Sequence, residues 1–202
     1  SITVATGLDA LTHSIEASTA MNASAMTRAI AMEAAVDILE NLEAAAKEGE
    51  MTEEKKAALA AIESRKELIC DVADHIWEYA ELSLQEFRSA ALYCEVLEKE
   101  GFRVEKGISG IETAFSASYG SGEPVIGILA EYDALSGLSQ EAGAVERKEV
   151  VPGGHGHGCG HNMLGAGAMA AALAVKHYLE EKGEGSGTVK FYGFPGEEGA
   201  AS

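Results

Sequence analysis

The chain has 202 residues, 47% of them hydrophobic, which is enough to bury a core in one or two domains. A formal net charge of -18 argues against nucleic acid and anionic membrane as partners, because phosphates need Lys and Arg to displace their counterions. Three cysteines, Cys70, Cys94 and Cys159, show no disulfide-framework spacing and fit a reducing compartment; with no signal-peptide pattern at the start, a cytoplasmic location is expected.

Residues 1–50 are Ala-rich and free of proline, with helical apolar spacing at Ile30, Ala34, Ile38 and Leu42. Asp9 and His13 stand at i and i+4, so on a helix they share one face. They can hold one metal together, or simply pair near a helix N-terminus. At Lys47–Glu54 the composition turns charged, which divides the chain into a helical segment, 1–50, and a second part, 51–202. Met51 is a candidate original start, and a chain that opens on Ser1 is expected to be cut from something larger.

Beyond Met51, Leu59, Ile62, Ile69, Val72 and Ile76 approximate one apolar helical stripe. A second helix is expected from about Leu84 to Glu100, with Phe87, Ala90, Cys94 and Leu97 inward and Gly101 as its stop. Cys70 and Cys94 read as small buried hydrophobes, and His75 and Trp77 as packing residues. Ile111 to Tyr119, a turn at Gly120–Pro124, and Val125 to Ala130 read as a hairpin feeding the sheet centre. Met163 to about Lys182 reads as a helix packed closely on a sheet, its apolar run too short for a membrane span. Thr188 to Phe194 is the next strand. Open α/β sheets place their chemistry at the carboxyl ends of strands, so Glu131-Tyr132-Asp133 and Glu197-Glu198 are expected on one rim.

The strongest chemical signal is Gly153-Gly154-His155-Gly156-His157-Gly158-Cys159-Gly160-His161-Asn162. Three imidazoles and a thiol alternate with glycines that let the backbone turn the side chains toward one point, as a metal site requires. The alternative is a solvated Gly/His loop. The pair Glu197-Glu198 supplies a further ligand and a general base, and the dipole of the helix after His161 is expected to favour Cys159 as thiolate. His177 lies well inside that helix and reads as a surface residue.

Two family resemblances follow from these strings. Thr6-Gly7-Leu8-Asp9-Ala10-Leu11-Thr12-His13-Ser14-Ile15-Glu16-Ala17 resembles the signature of iron-containing alcohol dehydrogenases, in which the matching aspartate and histidine are two of four metal ligands. Nothing at the right place supplies the other two, so dehydrogenase activity is not expected. Gly156–Asn162, Glu131-Tyr132-Asp133-Ala134-Leu135 and Phe191–Gly199 resemble metal-dependent amidohydrolases of the aminoacylase/carboxypeptidase family of metallopeptidases, in the branch of the aminobenzoyl-glutamate hydrolases. That resemblance implies Cys159, His161 and Glu198 as ligands of zinc or manganese, and Glu197 as the general base. It implies a supporting role for Asp133 toward a metal-bound histidine, and for His157 a role behind the ligands or on the substrate side. The residue two before Asp133 is Glu131, and Asn162 stands where many relatives carry aspartate.

The implied activity is hydrolysis of a small-molecule amide, an N-acyl amino acid such as aminobenzoyl-glutamate. The implied fold is α/β, a mixed sheet flanked by helices forming an incomplete metallopeptidase catalytic domain, preceded by the α-helical segment. Family members are dimers; the resemblance puts their dimerisation domain and remaining histidine ligands beyond Ser202, leaving an exposed sheet edge that favours self-association. Two other readings stand beside it: an iron-dependent oxidoreductase fragment built on Asp9 and His13, and a non-catalytic fusion fragment without a complete site.

Overall fold

The computed structural model describes residues 52–201. The segment 1–50, with Asp9 and His13, lies outside the described residues. The described part is an α/β layer: α1 (Glu53–Ser64), α2 (Lys66–Tyr79) and α3 (Phe87–Lys99), then β1 (Arg103–Lys106), β2 (Phe115–Ser121), β3 (Val125–Ala130), α4 (His161–Lys182) and β4 (Gly187–Gly193). Short 3-10 turns lie at Ile108–Gly110 and Glu198–Ala201.

The single apolar stripe expected from Leu59 to Ile76 is two helices that meet at Arg65. Only Val72 and Ile76 of the stripe are buried, and Leu59 is exposed. α2 ends where Ala80 turns left-handed and donates its N–H to the Ile76 carbonyl. The turn that follows is tied to the next helix by Glu81, whose carboxylate accepts from the N–H groups of Arg88 and Ser89, both at 2.9 Å. It thereby satisfies donors that a helix start leaves open. α3 buries Ala90, Tyr93, Cys94, Val96 and Leu97. Phe87, expected inward, is instead exposed, because the helix begins there and its first side chain lies off the packed face. Cys70 is likewise exposed on α2, one position away from the buried stripe, so only Cys94 is a buried hydrophobe.

The sheet order is β1-β2-β4-β3, with β2 antiparallel to both β1 and β4, and β3 parallel to β4. The expected hairpin of β2 with β3 does not form. β4 inserts between them, with Ala117 and Ile128 on its two sides opposite Phe191. The link from β3 to β4 through α4 is the long crossover that a parallel pair requires. β3 is therefore an edge strand among the described residues, not the sheet centre, and Leu129 is 63% exposed.

The core lies on the face carrying Phe115, Ala117, Val189 and Phe191, beneath α3 and α4. Tyr93, Phe115, Tyr132 and Phe191 gather there with ring centroids 5.6–6.2 Å apart. The opposite face, with Lys190 and Tyr192 half-buried and Val125 and Leu129 exposed, stays open among the described residues. α4 approaches the sheet closely because its buried face is built of small residues. At Gly165 a Cβ would stand 2.4 Å from Tyr93 Oη and 2.6 Å from the Glu131 carbonyl oxygen. Among the described residues no helix is long and apolar enough to cross a membrane.

Candidate metal centre

Three element ends converge at one rim of the sheet. β3 runs out at Ala130 into Glu131-Tyr132-Asp133, β4 runs out at Gly193 toward Glu197-Glu198, and α4 starts between them at His161 after the left-handed Gly160. The Phe194 N–H donates to the Ala130 carbonyl at 2.8 Å and keeps the two strand exits together.

Asp133 is the hub of this rim. Fully buried, it accepts from His161 Nδ1 at 2.9 Å on one oxygen, and on the other from Ser83 Oγ at 2.7 Å and the Glu198 N–H at 2.8 Å. A carboxylate offers only acceptors, so the His161 proton sits on Nδ1. Nε2 of the neutral ring then presents a lone pair. It faces Glu131 Oε2 at 3.2 Å, Glu197 Oε2 at 3.8 Å and Glu198 Oε1 at 3.9 Å.

The donor atoms form two overlapping sets, Cys159, His161 and Glu198, and Glu131, His161 and Glu197, in each of which all atoms lie within 4.8 Å of one another. One thiol, one imidazole and several carboxylates suit a divalent cation of borderline character. Their mutual repulsion without a cation is also visible: burial, followed by the neighbouring carboxylates, pushes the Glu131 pKa up even though His161 opposes the shift. Cys159 departs from expectation. Partial burial and the neighbouring Glu198 raise its pKa and outweigh the backbone N–H of His161, so the helix start by itself does not make it a thiolate. Its S–H points to the Asp133 carbonyl at 3.6 Å.

The other residues of the Gly/His string go elsewhere. His155 is exposed, and His157 turns away into the protein, its Nε2 donating to the Ile76 carbonyl at 3.0 Å. Burial lowers the His157 pKa and leaves its Nδ1 without a hydrogen bond. So the string brings a thiol and one imidazole to the cluster, not three imidazoles: glycine at every second position lets the backbone turn between them. Asn162 donates its amide to the Ala73 carbonyl and ties the start of α4 to α2. His177 faces Glu181 along the surface of α4. Beside His155 and His157 opens a cavity of about 590 Å³, walled by Trp77, Tyr79, Leu138 and Val151 among others. None of the clustered donors lines it.

Sequence reasoning missed Glu86. It is fully buried, and its Oε1 accepts from the Gly196 N–H at 2.8 Å, one residue before the glutamate pair. The available signal was its place just ahead of the α3 pattern, where the chain is not yet helical.

Comparison with known proteins agrees with this geometry. Residues 127–202 match the model of peptidase family M20/M25/M40. Over 141 residues, 70% of this chain, the sequence is 52% identical to a p-aminobenzoyl-glutamate hydrolase of Escherichia coli strain K12. Residues 51–202 resemble the N-terminal part of an M20 amidohydrolase. Thermostable carboxypeptidase 1 of Saccharolobus solfataricus is 31% identical over 132 residues, 64% of this chain. Among solved structures, the YXEP protein of Bacillus subtilis, a dinuclear metal binding peptidase from the M20 family, aligns over 70% of this chain with a TM-score of 0.55 and 26% identity. The chain spans 29% of the E. coli protein, 32% of the carboxypeptidase and 37% of the B. subtilis chain. Residues 3–63 match a second model, the C-terminal region of the Fe-containing alcohol dehydrogenase family, and that match runs through α1.

Proposed function

We propose that the M20-like part of this chain is the metal-binding half of an amidohydrolase that cleaves an N-acyl amino acid, with aminobenzoyl-glutamate as the favoured substrate. The observation that carries this reading is the state of His161: a buried carboxylate engages Nδ1 and leaves Nε2 open toward three glutamates, with a thiol close by. Cys159, His161 and Glu198 are the ligands in this reading, and Asp133 orients the imidazole. The thiol and imidazole favour zinc, while the carboxylates around Nε2 also suit manganese. A divalent cation held there polarises the amide carbonyl and lowers the pKa of water toward about 7.

Glu197 is the general base. Its side chain is the most exposed of the four carboxylates, at 46%, so it meets both substrate and solvent. It takes the proton of the attacking water as the new C–O bond forms, then delivers it to the amide nitrogen as the C–N bond breaks, releasing a carboxylate and an amine. His157 is kept neutral by its burial and acts behind the site, through the α2 backbone. The pairing-free cysteine usage favours the cytoplasm as the compartment.

The test is release of glutamate from aminobenzoyl-glutamate by the full chain, with zinc or manganese added and bound metal counted by mass spectrometry. Turnover that Cys159→Ser abolishes supports the proposal. Stoichiometric metal with no turnover refutes it for this molecule.

The match of residues 3–63 favours a second reading for the N-terminal segment, an iron site with Asp9 and His13 as two of its ligands. It requires His13→Ala, and not Cys159→Ser, to release the metal.

A further inference from the structure

Glu86 takes no part in the chemistry above, yet its side chain is among the most deeply buried in the molecule. Burying a carboxylate is unfavourable unless hydrogen bonds replace its water. This one is only half satisfied. Oε1 accepts from the Gly196 N–H, while Oε2 and the adjacent buried Thr113 hydroxyl make no hydrogen bond of normal geometry. A hydrophobic side chain of similar size would fill the space without that penalty, so the carboxylate is better explained by what it holds than by stability.

What it holds is the loop that carries the glutamate pair. Gly196, at φ +76°, rests on Leu84, itself left-handed at φ +62°. At Gly199 a Cβ would come within 2.6 Å of Ser83 Cβ, so residues 195–199 lie directly against the 83–86 turn. The loop has two carboxylate anchors, Asp133 on the Glu198 N–H and Glu86 on the Gly196 N–H. Glu197 lies between them.

We propose that Glu86 is a positioning residue, whose buried carboxylate clamps the Gly196 N–H and so fixes the loop that presents Glu197 and Glu198 to His161. The proposal rests on the metal-site reading above for its effect on binding. Its effect on the loop does not.

The test uses the full chain with Glu86→Gln, Glu86→Leu and, as a control destabilised far from the site, Leu97→Ala. Zinc affinity is measured by calorimetric titration, and Gly196 amide exchange by NMR on metal-free protein. Glu86→Gln keeps an acceptor and is expected to hold zinc affinity within about threefold of the parent, with Gly196 still protected. Glu86→Leu is expected to weaken zinc binding about 10- to 100-fold, as loss of an outer-shell partner does, and to expose the Gly196 amide. Leu97→Ala lowers thermal stability and leaves zinc affinity unchanged. Parental zinc affinity in Glu86→Leu, or an equal loss in Leu97→Ala, overturns the proposal.

If the parent itself binds no zinc, the metal-site reading has failed, and Gly196 exchange decides alone. Unchanged protection in Glu86→Leu then overturns the clamp, and selective loss sustains it. Should Glu86→Leu not fold, Glu86→Asp, which withdraws the acceptor by one methylene, must show the same fall in zinc affinity or Gly196 protection.

Discussion

Replacing Asp133 with asparagine separates the structural and chemical duties of the rim. The carboxylate accepts from three donors, two of them, Ser83 Oγ and the Glu198 N–H, on the same oxygen. The asparagine amide oxygen settles toward that pair, which turns its NH₂ group to His161 Nδ1. The imidazole then responds by moving its proton to Nε2, where Glu131 Oε2 stands 3.2 Å away as a ready acceptor. Every donor keeps a partner, and two charge-assisted bonds become neutral at roughly 1 kcal/mol each. Metal-free Asp133→Asn should therefore lose only about 2 kcal/mol in urea unfolding.

Zinc affinity should fall far more sharply in relative terms, about 10- to 100-fold, because the proton now occupies the lone pair that faces the cluster. Such a fall corresponds to about 1.4–2.8 kcal/mol of binding free energy. Asp133→Ala is the contrast: it leaves three donors without their acceptor at about 1–3 kcal/mol each, a large share of a domain's whole stability. Calorimetric titration with zinc, urea unfolding, and NMR of the His161 ring nitrogens measure these quantities. The reasoning fails if Asp133→Asn binds zinc as the parent does, or if its His161 proton remains on Nδ1.

Other outcomes follow from the same geometry. Cys159→Ser should strip the divalent metal counted by mass spectrometry; retention of a full equivalent would mean the site has been misplaced. Gly165→Ala should destabilise by about 1–3 kcal/mol in urea, since its Cβ meets the Glu131 carbonyl oxygen, a backbone atom that cannot swing aside. An unchanged midpoint would show that α4 can lift off β3 at little cost. Burial raises the pKa of Glu86, so the folded state keeps a proton that the unfolded state has released. That contribution is complete below the unfolded carboxylate pKa and is lost as pH rises through the folded one. The stability of Glu86→Gln relative to the parent should accordingly improve as pH rises through that window, and a constant difference would count against it.

Much of the element content was legible locally. Val125–Ala130 is bounded in the structure as its apolar run predicts, and α4 begins at the histidine that ends the glycine string. Strand order was not legible, because the insertion of β4 between β2 and β3 depends on a crossover of more than fifty residues. No local pattern records it. β1 was missed for a different reason: it is a four-residue strand in which Val104 is the only residue not exposed, so alternation has nothing to act on. The break at Arg65 was hidden because arginine is a good helix former.

At the rim, the order of residues along the chain indicated which acids meet. It could not show that His155 and His157 leave the cluster, since glycines license many backbone paths. Glu86 escaped notice because an acid before a helix ordinarily reads as solvent-exposed capping. Its burial is created by the 195–199 loop, more than a hundred residues later.

The chain contains one tryptophan, Trp77, on the wall of the cavity beside His155 and His157 and one position after the carbonyl that anchors the latter. Indole emission is therefore not an average over the molecule but a signal from one address, the contact between the end of α2 and the 138–158 loop. That makes the protein its own fluorescent reporter. Whatever enters the cavity, or shifts the strand of glycines leading to Cys159, can be followed in real time without attaching a label.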